Sequence, residues 1–366
     1  MPSVGSNSYR AAFDAQFLVQ KEAIKKTGQA QSSNDFQTSL RRDMKTAAKA
    51  NTLTAADILA LEHWNKFQRV QVGLNTYGRT WGHDEDIYNQ QYGFRNQYSV
   101  RGEGQSVYIE QKSPKLPLIL GIFKNKLKVN GHENNILAEQ TAHKNKSKIK
   151  GQDNKTMLSQ TGHKNITRLK GESNALILDQ EGRKNVFKVK GQDNKAVVTQ
   201  EGRKAKATIK GHHNELYLEQ VGKRSKAKIK GHDNTTVIDS DASKKATFKI
   251  KGHNNDVTID ATDAGKSKTK VKGNDQAVVL NGGTGKDKMK VKGNNNHITF
   301  DGGNGNKDKL SLEGKKEDWT VTYNKDTDTY HFAHKNNGTT VDAKNIEKVK
   351  FRGNWLKKAV NPKDLI

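Results

Sequence analysis

The chain contains no cysteine, which removes both disulfide bridges and thiolate metal sites from consideration. Hydrophobic residues are also scarce, at 32% of 366, too few for a broad globular core. No apolar run approaches the ~20 residues that span a bilayer, so no transmembrane segment is expected. The opening MPSVGSNSYRAAFDAQF lacks the apolar stretch of a secretory signal peptide, so export would need another signal.

What the chain has instead is charge. There are 65 Lys and Arg against 39 Asp and Glu, a formal net charge of +26. Such a field favours nucleic acid, anionic glycans or anionic membranes and says nothing about fold. Low hydrophobicity with high net charge is also a mark of disorder, but a strict internal repeat argues against it. A thin structure repeating along one axis is stable with this composition, because each unit buries only a narrow strip against its neighbours.

Residues 8–70 carry helical spacing, in Phe13, Phe17, Leu18 and Ile24 and again in Ile58, Leu59, Leu61 and Trp64. Thr54 opens a T-x-x-D start signal, and Ser33 and Asn34 suit a middle cap. Residues 1–86 are therefore expected to form a helical segment.

From 87 to 312 the chain repeats itself, and this decides the fold. Units of 20 residues begin at Gly131, Gly151, Gly171, Gly191 and Gly211, units of 21 at Gly231 and Gly252, and further units at Gly273 and Gly293. The unit GESNALILDQEGRKNVFKVK (171–190) contains two alternating stretches, each closed by a glycine-containing turn. Alternation implies strands, and a fixed glycine supplies φ > 0. The expected fold is mainly β, a two-sheet parallel β-solenoid with rungs ~4.8 Å apart and sheets ~10 Å apart. Leu176, Leu178, Phe187 and Val189 should point inward, with Ala196, Val198, Ala207 and Ile209 one rung later. Asn174, Asn185 and Gln180 should stack at the corners as amide ladders. A diverged rung shows at Gln91-x-Gly93-x-x-Asn96, and its second turn, 112–124, carries an insertion. Residues 313–366, with alternating patterns at Trp319–Tyr323 and Tyr330–Ala333, are expected to form a small β module.

Two motifs resemble known families. The half-repeat Q-x-G-x-x-N, as in Gln160–Asn165, resembles the curlin repeat of bacterial curli fibres. That resemblance implies a two-sheet solenoid and fibre assembly. Gly282-Gly283-Thr284-Gly285-Lys286-Asp287-Lys288-Met289 is similar to the nonapeptide of repeats-in-toxin (RTX) proteins, and 302–308 repeats it with one residue inserted. The W-x-V, Y-x-F and N-I-E-x-V-x-F succession after it looks like the C-terminal module of type I secreted proteins, and Asp364-Leu365-Ile366 like some of their endings. The resemblance implies a bacterial protein exported by type I secretion to the cell surface or medium. It also implies calcium shared between Asp287 and Asp308, an oxygen-ligand site.

The strongest functional feature is positional. Outward side chains of the second strand stack rung over rung. One column is Lys150, Lys170, Lys190, Lys210, Lys230, Lys251, Lys272 and Lys292. Beside it run Lys148, Arg168, Lys188, Thr208, Lys228, Lys249, Lys270 and Lys290, and part of a third holds Lys146, Lys206, Lys226, Lys268 and Lys288. Like charges opposite each other are unfavourable, by about 1 kcal/mol per neighbouring pair in water before screening. A solvated face that protects the sheet explains some lysines, and a linear polyanion binder explains the length of the array. Base-stacking aromatics are absent from these columns. Duplex DNA would bind through phosphates alone, and acidic polysaccharide or lipopolysaccharide suits an extracellular location.

On the other sheet the outward column Leu137, Met157, Ile177, Val197, Tyr217 and Val237 is apolar, with Glu139, Asp179, Glu219, Asp239 and Asp260 beside it. An exposed apolar stripe marks an interface, either with the N-terminal helices or with a second copy. The insertion, with Leu118, Ile119 and Phe123, offers a hook for self-association or a plug over the rod. Histidines 212, 232 and 253 share one turn column whose other members are variable polar residues. There is no nucleophile–base pattern and no phosphate loop, and the short rungs provide little concavity for an enzyme. Outward columns of lysine or mixed apolar residues also differ from the threonine arrays of ice-binding surfaces.

The leading expectation is a secreted structural protein that self-assembles into fibres, a surface layer or biofilm matrix, its lysine face touching polyanions. The alternative is a monomeric binder of acidic polysaccharide, lipopolysaccharide or extracellular DNA.

Overall fold

The computed structural model describes residues 68–83, 86–113, 124–353 and 359–366. The helical expectation for 8–67 and the insertion residues Leu118, Ile119 and Phe123 lie outside the described residues.

The protein is a parallel β-solenoid of about 11 turns. Each rung contributes two runs of strand, and successive rungs pair in strict parallel register, Lys184 with Lys204 and Lys164 for example. The eight inward residues expected from alternation, Leu176 to Ile209, are all buried. They belong to one core cluster that runs the length of the rod.

Corners are held by turn chemistry and amide ladders. Gly191 has φ +133°, and a Cβ there would sit 1.8 Å from the carbonyl oxygen of Gly171, so only glycine fits. Two residues on, the left-handed position is occupied mostly by Asp and Asn (Asp153, Asp193, Asp233, Asn254), the residues that tolerate it best. Asn134, Asn154, Asn174, Asn194, Asn214, Asn234 and Asn255 stack at one corner. Each Nδ2 donates to the next side-chain oxygen at 2.8–3.0 Å, the last to Gln276. At another corner a glutamine ladder from Gln71 to Gln220 runs the opposite way, each Nε2 donating to the preceding Oε1 at 2.6–2.8 Å. A third corner stacks Asn145, Asn165 and Asn185.

Two boundaries differ from those expected, and one rung carries a register shift. Strand Gln68–His83 is already a rung, paired in register with Asp86–Glu103, so the solenoid begins ahead of residue 87. The extra residue of the unit from Gly231 is absorbed by a register shift between Gly222/Arg224 and the facing Ala242/Lys245. At the other end the chain does not leave the solenoid at 312. Thr340–Lys344 pairs parallel to His297–Asp301, and Lys348–Phe351 to Lys309–Leu312, adding one more rung. A hairpin of Trp319–Asn324 and Thr329–His334 lies antiparallel to Thr340–Lys344, and Val360 bridges Val349. The hairpin covers the outer edge of Thr340–Lys344, while Lys348–Phe351 meets a single bridge at Val360 among the described residues.

Candidate polyanion-binding face

On the second strand of each rung, alternation sends every other side chain outward. The parallel register turns a repeat in sequence into a column in space. Lys150, Lys170, Lys190, Lys210, Lys230, Lys251 and Lys272 align rung on rung, with Lys292 continuing the column. Lys148, Arg168 and Lys188 align beside them, as do Lys228, Lys249, Lys270 and Lys290. Thr208 interrupts this second column next to Lys188. The middle column is half-buried and the flanking one half-buried to exposed, since lysine stems pack on one another while the ammonium heads reach water.

The structure extends the array at both ends. Lys126 and Lys128 stack on Lys146 and Lys148, while Lys309, Lys348 and Lys350 carry the columns into the last rung. The last group was not expected from sequence, because the final rung follows a hairpin instead of a repeat. Near that end the columns line a shallow depression of ≈ 360 Å³, formed by Lys268, Lys270, Lys288, Lys290, Lys309, Lys350 and Arg352 among others.

Crowding of like charge shows in the titration of these groups. Lys150 beside Lys148 holds its pKa below the usual lysine value, and Lys230 does the same to Lys228. Lys188 and Lys290 are lowered first by burial and then by surrounding cations, Arg168 and Arg352 foremost. Among the described residues, Lys292, paired with Glu313 at 2.6 Å, is the one lysine of the two main columns held in an ion pair.

On the opposite sheet Glu139, Asp179, Glu219, Asp239 and Asp260 share one column, interrupted by Ser159 and Thr199, and Glu219 and Asp239 are buried. The apolar column beside it is not the exposed stripe expected. Met157, Ile177, Val197 (1% exposed) and Tyr217 (2%) are buried in a cluster separate from the core, with Leu137 and Val237 packed against it. Burial leaves Met157, Ile177, Val197 and Tyr217 no open surface for a second copy.

Asp287 and Asp308 lie one rung apart at the same corner, both buried. Their oxygens, however, serve the backbone. Asp287 accepts N–H groups from Ser267 and Gly283, Asp308 accepts from Asp287 at 2.5 Å, and Glu347 accepts from Asp308 at 2.6 Å. Asp308 Oδ2 is left without a hydrogen bond. Burial, with Asp287, Glu347 and Asp301 nearby, pushes the Asp308 carboxyl up to about 7. Among the described residues no group of three or more His, Cys, Asp or Glu is placed to hold a metal ion. Backbone donors aimed at three of the four aspartate oxygens do not fit a calcium ion.

His212, His232 and His253 stack face to face with centroids 5.0 and 4.9 Å apart. Parallel rings set their nitrogens side by side instead of converging them, consistent with variable turn residues.

Compared with protein families, curated proteins and solved structures, the chain matches none, so the curlin-like and RTX-like likenesses rest on their motifs alone. No helix among the described residues is long and apolar enough to cross a membrane.

Proposed function

We propose that the protein is a non-enzymatic structural rod whose lysine face binds linear polyanions along the solenoid axis. One observation carries this reading: parallel register aligns Lys and Arg through nearly every rung from Lys128 to Lys350, almost without neutralising carboxylates. A polymer with regularly spaced negative charge would relieve repulsion that the fold otherwise bears. Solubility alone needs no such alignment. Replacing Lys188, Lys190, Lys228 and Lys230 together by Gln should weaken binding of a polyanion and lower the slope of log affinity against log salt by about 3. Unchanged affinity and slope would sink the reading.

Self-assembly at the bacterial cell surface or in a matrix is a second reading, supported by one feature. Among the described residues, Gln68–His83 pairs with a neighbour on one side only, and unpaired edges template association. At the other end Trp319–Asn324 also pairs on one side only among the described residues, so pairing of like ends would join two rods and stop, whereas pairing of unlike ends would propagate into a fibre. Electron microscopy of the purified protein separates these outcomes, and dispersed monomers at all concentrations would count against assembly. Export by type I secretion belongs to the same proposal. It is supported by the two glycine-rich turns lying at one corner, and is tested by whether residues 313–366 carry a fused reporter into the medium.

A further inference from the structure

The head of the lysine face is built differently from the rest. The outward residues of the first rung on this face are Tyr77, Arg79 and Trp81. Trp81 lies in register with Arg101, and that column continues through Asn130 to Lys150 and Lys170. Tyr77 heads the column of Gln97, Lys126 and Lys146. Among the described residues, Tyr77 (64% exposed) and Trp81 (60%) are the large aromatic side chains standing out into water. The guanidinium carbons of Arg79 and Arg101 lie 5.5 and 5.6 Å from the indole centroid, close enough for cation–π attraction.

Tyr77, Arg79 and Trp81 fall within residues 1–86, where the sequence predicts helix, so the sequence alone puts no stacking aromatics on this face. With the rung in place it has two, where its cation columns begin. Along the strand the order is ring, cation, ring, with neighbours roughly 7 Å apart. A single nucleic-acid strand reaching this end rung has bases free to stack on the rings and phosphates free to meet the guanidinium groups beside them. An acidic glycan carries its charge on the ring itself, and a duplex hides its base faces.

We propose that Tyr77, Arg79, Trp81 and Arg101 form a base-stacking subsite, and that the polyanion of the lysine face is single-stranded nucleic acid. The inference rests on the lysine face being a polyanion site. Phosphates track the lysines, and bases at one end lie on the indole and phenol rings, the combination by which single strands are held without sequence preference.

The test uses the full chain and fluorescence anisotropy at one fixed salt concentration. Three probes are compared: a labelled thymidine oligonucleotide, a base-free deoxyribose-phosphate strand of equal length, and a polyuronate. The wild type should bind the oligonucleotide more tightly than the base-free strand. Y77A/W81A should lose roughly five- to a hundredfold of oligonucleotide affinity while holding the base-free strand as before, and W81F should keep most of it. Because both rings are exposed, circular dichroism and the melting temperature should not change. If the double variant misfolds, W81F and the wild-type comparison of the two strands still decide. Equal affinity of the wild type for both strands, or equal losses on both, overturns the subsite. Tighter polyuronate binding that Y77A/W81A abolishes overturns it in favour of an acidic glycan. If the wild type binds none of the three, the lysine-face reading falls as well. If all three bind and the aromatic variants change nothing, only the subsite falls.

Discussion

Asn194 shows how much one residue holds in this fold. Its Nδ2 donates to Gly171 O and Asn214 Oδ1, and its Oδ1 accepts from both the side chain and the backbone of Asn174. Asn194→Ala would leave three buried partners on the two adjoining rungs short of a hydrogen bond, at about 1–3 kcal/mol for each. A total loss on the order of 3 kcal/mol or more is expected in urea unfolding, and a loss under 0.5 would contradict the ladder's role. Asp308 gives a pH signature. Its carboxyl is raised to about 7, so the folded state holds the proton more tightly than an unfolded chain titrating near ~4. Stability from this group is complete below ~4, declines as pH rises toward 7 and is flat above that. Asp308→Asn removes the dependence and should melt higher than wild type at pH 8; parallel melting curves from pH 4 to 8 would refute this. The amides of Asn174, Asn185 and Gln180 were legible from spacing, as was the shared corner of Asp287 and Asp308. That the carboxylates turn to backbone N–H groups was not, because it depends on where the neighbouring turn aims its donors.

At the scale of the rung, the inward set from Leu176 to Ile209 followed from alternation, since a period of two admits only one buried face. The first rung was missed although Gln71-x-Gly73 and Gly82 match Gln91-x-Gly93 and Gly102, because Thr76 stands where Asn96 would mark the repeat. That omission concealed Tyr77 and Trp81. For the apolar column, alternation says which side chains leave the core, not what buries them. The lysine strands carry their own prediction. Lys148 and Lys228 titrate below the usual lysine value because Lys150 and Lys230 sit beside them. A bound polyanion would favour their charged forms, so binding at alkaline pH should take up protons. Calorimetry in buffers of different ionisation enthalpy reads this directly, and identical heats in all buffers would contradict it.

The whole molecule is a rod with a cationic face, ending in a hairpin at its C-terminal end. Its two-sheet parallel architecture was evident from the repeat, while the last rung was hidden by the hairpin at 319–334, which interrupts the period. About 11 turns at ~4.8 Å make a binding track on the order of 50 Å long. The most direct test of that track is the salt dependence of binding for oligonucleotides of increasing length. The slope of log affinity against log salt should steepen with length until the strand spans about 50 Å, then level off. A slope already at its limit for the shortest strands would contradict a polyanion track running along the rod.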